Sequence, residues 1–255
     1  MIRKKRMSKG IAKILSGLLV FGMVAGLVPA VPGGTVHAKA EGESEQNVTT
    51  AEYPEHKHCV CSKGELSVTG HEHEEKTWTG IDSLDKISSA GYYYLTDNVD
   101  LTDTWTPQDG VVLCLNGKAI TMKADNKDVI GVNGNNHFTL CDCKDTGVVT
   151  HGTKPDGTNK YSGSGVNVKV KGTFTMYGGS ISGNTADQGG GVYNRGTFNM
   201  NGGTITSNIA INGGGVYINK GTFNMYGGTI TGNKAEKTNG TAYGGGVYIN
   251  KGTFT

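Results

Sequence analysis

The sequence predicts an all-β protein built as a parallel β-helix, and three observations carry that expectation. Phenylalanine recurs within Gly-Thr-Phe at Phe174, Phe198, Phe223 and Phe254, at intervals of 24, 25 and 31 residues. A period in this range marks stacked structural units. Within each unit the run Thr-Phe-x-Met alternates apolar with polar residues, the strand period, and no stretch is long enough for a helix. The 42 glycines against 5 prolines in 255 residues exceed the usual glycine share of about 7%. They fall as Gly-Gly, Gly-Asn and Gly-Gly-Gly between three short runs, Thr-Phe-Asn-Met, Thr-Ile-Thr and Gly-Val-Tyr. Three strands of about four residues and three turns fill one coil of 24–25 residues.

Residues 1–40 read as a secretory signal: Arg3, Lys4, Lys5, Arg6, Lys9 and Lys13 precede an apolar stretch from Ile14 to Val31, then small residues with cleavage after Ala38 or Ala40. A retained anchor is the competing reading, but Gly17, Gly22, Gly26 and Pro29 interrupt the stretch. On the export reading, the membrane is met only through this segment before cleavage. Its loss takes seven cations and no anions, so Lys+Arg falls from 24 to 17 against 22 Asp+Glu and the net charge becomes −5. That balance argues against a nucleic-acid partner. Residues 41–55 form an acidic, polar leader expected to be disordered. Residues 56–76 gather histidines and cysteines.

Residues 77–110 hold Trp78, Trp105 and the run Gly91-Tyr-Tyr-Tyr-Leu95. Ile81, Leu84 and Ile87 stand at helical spacing, so a short capping helix is expected to close a solenoid that begins near residue 90. Residues 111–255 carry the coils. The early ones are irregular: His137-Phe-Thr-Leu-Cys-Asp-Cys143 aligns with the phenylalanine strand 36 residues before Phe174, and Val112-Leu-Cys-Leu-Asn-Gly117 one coil earlier.

Stacking coils about 4.8 Å apart turns equivalent residues into columns. The expected inward columns are Phe174/Phe198/Phe223/Phe254, Met176/Met200/Met225, Ile181/Ile205/Ile230 and Val192/Val216/Val247. Asn184, Asn208 and Asn233 form another at a turn, where side-chain amides hydrogen-bond up the stack. Gly-Gly-Gly-Val-Tyr marks a corner. It lacks the aspartate of a calcium nonapeptide and the helix and Gly-Lys-Ser/Thr of a phosphate loop.

The repeat GTFTMYGGSISGNTADQGGGVYNR and the block GYYYLTDNVDLTDTWTPQDGVVLCLNGKAITM resemble exported surface proteins of Gram-positive gut-type bacteria that carry β-helix repeats of the pectate-lyase-like superfamily. The likeness covers residues 56–255. It implies a right-handed coil with asparagine ladders, followed by further repeats or modules and a surface-attachment segment. The stop at Thr255 departs from that pattern and reads as the end of a fragment, whose open last coil is expected to fray or aggregate.

Enzymes of that superfamily use carboxylates for calcium or acid/base work on polysaccharides. From Lys171 to Thr255 there are six cations but only two carboxylates, Asp187 and Glu236, on related turns two coils apart. Asp142, Asp145 and Asp156 lie closer together, with nothing specific to single them out.

Two outward columns suggest binding instead. Tyr193, Tyr217 and Tyr248 follow the inward valines, and Lys171, Arg195, Lys220 and Lys251 each lie three residues before a phenylalanine. They are expected to line a groove for an extended, partly anionic glycan, with tyrosine faces against sugar rings and cations against carboxylates or sulfates. The competing reading is a solvated edge whose lysines limit edge association. His56, His58, Cys59, Cys61, His71 and His73 form two short clusters nine residues apart, suited either to a small structural zinc site or to an unliganded linker. Cys114 and Cys141 fall at matching outward positions on neighbouring coils, a candidate disulfide that leaves Cys143 over.

The leading expectation is a non-catalytic cell-surface stalk that adheres to a host surface or an extracellular glycan. Two alternatives stand beside it: the N-terminal part of a polysaccharide lyase or hydrolase with its site in further coils, and a purely structural spacer.

Overall fold

The computed structural model describes residues 76–157, 159–237 and 240–255. Over them the chain is a parallel β-helix: each strand pairs in parallel with its equivalents one coil before and one coil after. One stack holds Trp78–Ile81, Gly91–Leu95, Val111–Cys114, His137–Cys141, Thr173–Met176 and Thr197–Met200. Another holds Ile130–Val132, Val166–Val168 and Val192–Asn194. Val216–Met225 belongs to both and merges them into one sheet, which Val247–Phe254, pairing against it, brings to 11 strands. The residue added near Ile218 lies within this continuous strand. In the preceding coil the valine and phenylalanine strands are separate; here Lys220, at φ 68°, absorbs the bend within the strand.

A second sheet stacks Val99–Leu101, Ala119–Met122, Val148–His151, Ser180–Ser182, Thr204–Thr206 and Thr229–Thr231. A third, of Thr185–Gln188, Ile209–Asn212 and Lys234–Ala235, corrects the expectation of three strands per coil. The fourth strand escapes sequence reading because Thr-Ala-Asp-Gln has no apolar alternation; its residues are half-buried or exposed.

The inward columns stand as expected through most of the stack, and at the last coil they open: Met225, Ile230 and Val247 are half-buried and Phe254 is 43% exposed. Phe174, Phe198 and Phe223 are fully buried, and with Phe138 and Phe254 they form a continuous ring stack, centroids 5.8, 5.0, 4.6 and 4.9 Å apart and planes within 13° of parallel. Trp105 meets Phe138 edge to face at 5.4 Å. Each aromatic contact adds about 0.5–1.5 kcal/mol beyond area burial, so the rings both fill the lumen and fix the register.

The asparagine ladder runs beside them. Asn184 Nδ2 donates to Asn208 Oδ1 and Asn208 Nδ2 to Asn233 Oδ1, both at 2.9 Å. The same oxygens accept the backbone N–H of Asn184 and Asn208 at 3.0 Å. Buried amides are costly unless paired; here each completes its neighbour. At the ladder's N-terminal end stands His151, 1% exposed, with Nδ1 2.8 Å from Asn184 Oδ1 and Nε2 2.9 Å from the Lys127 carbonyl.

The corner glycines answer to two separate demands. Gly189, Gly213 and Gly244 open their triplets at φ 61–66°, in the left-handed region that glycine enters without a Cβ penalty. Gly191 closes its triplet under a packing limit, since a Cβ there would sit 2.5 Å from the Gly215 carbonyl oxygen.

The N-terminal end begins earlier than expected, at Trp78, whose strand pairs with the Gly91–Leu95 strand. The capping helix is a single 3-10 turn, Leu84–Lys86, with Ser83 accepting from the Asp85 N–H. Ile81, Leu84 and Ile87 are all buried, but Ile81 ends the Trp78–Ile81 strand and Ile87 follows the turn, so their helical spacing does not mark a helix through all three. The long interval before Phe174 contains an excursion closed by the antiparallel bridge between Thr153 and Lys160.

Candidate ligand-binding edge

On the large sheet the strand alternation turns Val192, Val216 and Val247 inward and the following tyrosines outward. Register places Tyr193, Tyr217 and Tyr248 above one another. Their rings pack against each other, at 5.4 Å between Tyr193 and Tyr217 and 5.6 Å between Tyr217 and Tyr248, and Tyr243 extends the row at 5.6 Å. The faces expected to meet sugar rings are therefore turned along the stack. Tyr217, between two neighbours, is only 4% exposed. Burial, and then the Tyr193 and Tyr248 phenols, hold its hydroxyl above the ordinary phenol range, against a lowering hydrogen bond with Asn250. What the row offers outward is ring edges and hydroxyls. Asn219 Nδ2 donates to Tyr193 Oη at 3.0 Å, and Asn250 Nδ2 to Asn219 Oδ1 at 3.4 Å.

The cations flank this row in uneven fashion. Lys171, Lys220 and Lys251 are exposed, while Arg195 is half-buried with its guanidinium 5.1 Å from the Tyr193 ring centre. The expected four-cation column is out of strict register at its end: Lys251 lies opposite Asn219, because a bulge displaces the pairing there by one residue. The offset separates like charges that would otherwise stack.

Two residues at the head of the tyrosine row were not legible as site residues. Asn167 pairs in register with Tyr193, and its Nδ2 donates to Asp128 Oδ2 at 2.8 Å. Asp128 Oδ1 accepts the Ser164 N–H at 3.0 Å. Asn167 Oδ1 and Arg195 Nε are buried without a hydrogen-bond partner. Such atoms are expensive unless a water or ligand group meets them. Aligning Val166-Asn167-Val168 with Val192-Tyr193-Asn194, 26 residues apart, was the available signal.

The carboxylates weighed for catalysis are dispersed. Asp187 is exposed, and Glu236 pairs with Lys234 at 3.0 Å. Asp142 is buried and accepts the N–H groups of Gly117 and Gly147 at 2.7 and 2.6 Å. Asp145 occupies a turn at φ 57°. Among the described residues no three His, Cys, Asp or Glu side chains are arranged to hold a metal ion. The zinc candidates His56, His58, Cys59, Cys61, His71 and His73 lie outside the described residues.

Cys114 and Cys141 are register partners, as their alignment predicts. Both face away from the lumen yet are buried, covered by Trp78, Tyr94, Val112, Cys143 and Tyr177 in a second apolar cluster. Cys143, in the turn after its strand, brings its sulfur within 3.6 Å of Cys114 Sγ.

Comparison with family models, with curated proteins and with solved structures finds no match for this chain.

Proposed function

We propose that the protein is a non-catalytic, exported bacterial surface stalk that holds an extended, partly anionic glycan, of a host surface or of the extracellular matrix, along its tyrosine edge. The observation that carries this reading is the pair of unmatched polar atoms beside Tyr193. Arg195 Nε and Asn167 Oδ1 are a donor and an acceptor, both buried and unpaired, so a sugar hydroxyl completes either one once its side chain swings outward. Lys171, Lys220 and Lys251 add exposed positive charge along the same edge, which attracts carboxylates or sulfates and is weakened by salt. The ligand lies against ring edges and hydroxyls, since the tyrosine faces are occupied by one another.

A glycan array probed with the intact chain tests this. The wild type is expected to bind acidic glycans, and the double substitution Arg195→Ala plus Lys220→Ala to lose most of that signal. An unchanged signal in the variant removes the edge as the binding site. The near-complete burial of Tyr217 favours a second reading, a structural spacer in which the row only staples coils together. A wild-type array without signal supports that reading.

A further inference from the structure

We propose, resting on the glycan-binding reading of this edge, that its phenol hydroxyls act as outward hydrogen-bond donors and so select acidic glycans over neutral ones of the same backbone, with Asn219 and Asn250 setting that direction. Asn219 reaches back one coil, and its Nδ2 donates to Tyr193 Oη at 3.0 Å. Asn250, from the following coil, donates through its own Nδ2 to Asn219 Oδ1 at 3.4 Å. The Asn219 amide is thus oriented from both sides, oxygen toward Asn250 and nitrogen toward Tyr193. Asn250 also bonds the Tyr217 hydroxyl, favouring the phenolate, which is the sense of a bond donated by the amide.

A phenol hydroxyl carries one proton and accepts through its lone pairs. Since Tyr193 Oη accepts from Asn219, its proton points away from that amide. Among the described residues no acceptor meets the hydroxyl proton of Tyr193 or of Tyr248. Both residues are half-buried, whereas Tyr217 between them is 4% exposed. Tyr193 and Tyr248 therefore make the contact, and Tyr217 keeps them apart. They stand two coils from each other, about 10 Å at the interstrand spacing, so one acid per disaccharide of an extended glycan reaches both.

A sugar hydroxyl can accept a bond from either phenol. A carboxylate or sulfate oxygen is acceptor-only and makes the charge-assisted bond, which is shorter and about twice as strong. Lys171, Lys220 and Lys251, exposed along the same edge, draw in any anion from a distance and are screened by salt. The phenol protons act only at contact. The two contributions therefore separate by salt concentration.

Binding of the full chain to a galacturonic acid oligomer, and to its methyl ester of the same length, is measured at low salt and again at about 1 M, where the screening length falls to about 3 Å. The wild type is expected to prefer the acid by about tenfold or more at both. Tyr193→Phe plus Tyr248→Phe keeps the packed rings and removes the two hydroxyls. It is expected to bring affinity for the acid close to that for the ester at 1 M salt, with affinity for the ester unchanged. A variant that keeps the full preference overturns the proposal, as does an equal loss for both oligomers or a wild-type preference that vanishes at 1 M salt; each of these leaves the acid to the cations. Equal wild-type affinity for acid and ester overturns the proposal and leaves the glycan-binding edge standing, whereas failure to bind either oligomer at low salt removes both.

Discussion

The coils from Thr173 onward and those from Trp78 to Gly172 share one sheet but are held by different means. In the later coils one residue type repeats at each level: phenylalanine on phenylalanine, asparagine on asparagine, tyrosine on tyrosine. In the earlier coils several of the same levels are filled by unlike residues. Phe138 stacks under Val111, His151 takes the head of the asparagine ladder, and Asp142 joins two turns. Repetition makes each coil a template for the next and also repeats whatever faces outward. The irregular coils spend their variety on closing an end, and their outward chemistry is local.

The largest predicted effect breaks the repetitive half. Phe198→Ala removes a ring stacked on both sides and should cost about 3–5 kcal/mol in denaturant unfolding. Asp142→Ala strikes the irregular half, leaving the N–H groups of Gly117 and Gly147 without their carboxylate, at about 1.5–3 kcal/mol in all once water reaches the part-buried one. Asn208→Ala, in the ladder, should cost about 1–3 kcal/mol, with faster amide exchange at Asn184 and in the adjoining coils.

The smallest effects are those of pH, and they have opposite signs in the two halves. Hydrogen bonds from Lys86, Lys127 and Lys154 hold Asp82, Asp103 and Asp125 below the ordinary carboxylate value, and the backbone N–H of His137 does the same for Asp109. Their contribution is present above about 3.9, the unfolded value, and is lost as pH falls through the lower folded values. Tyr217 is raised, so its contribution is intact below the ordinary phenol value of 10.0 and is lost as pH rises from there through the folded value. Segment-resolved hydrogen exchange should thus show acid loosening residues 82–127 first and alkali loosening the tyrosine row first. All four carboxylates are exposed, which keeps the acid effect small.

The sequence made the regular coils legible because identical residues at fixed intervals reveal register directly, so the phenylalanine, methionine, isoleucine, valine and asparagine columns were all visible. The fourth strand was hidden because Thr185–Gln188 buries no alternating apolar set. The tyrosine row was legible as a column but not as a self-packed one: alternation says which way a side chain leaves the sheet, and only ring packing says what its faces meet. Asn167 was missed because asparagine stands where the later coils carry tyrosine, and Asp128 because the excursion at Thr153–Lys160 separates it from Asn167 in the chain.

A repeated edge should bind an extended ligand in proportion to the number of coils it spans. Titration of the intact chain with galacturonic acid oligomers of increasing length tests this most directly. Affinity is expected to rise with each added sugar until the oligomer covers the coils of Tyr193, Tyr217 and Tyr248, and to fall at least about tenfold with Arg195→Ala plus Lys220→Ala. Absence of binding, or an affinity indifferent both to oligomer length and to that substitution, would contradict the glycan-binding edge.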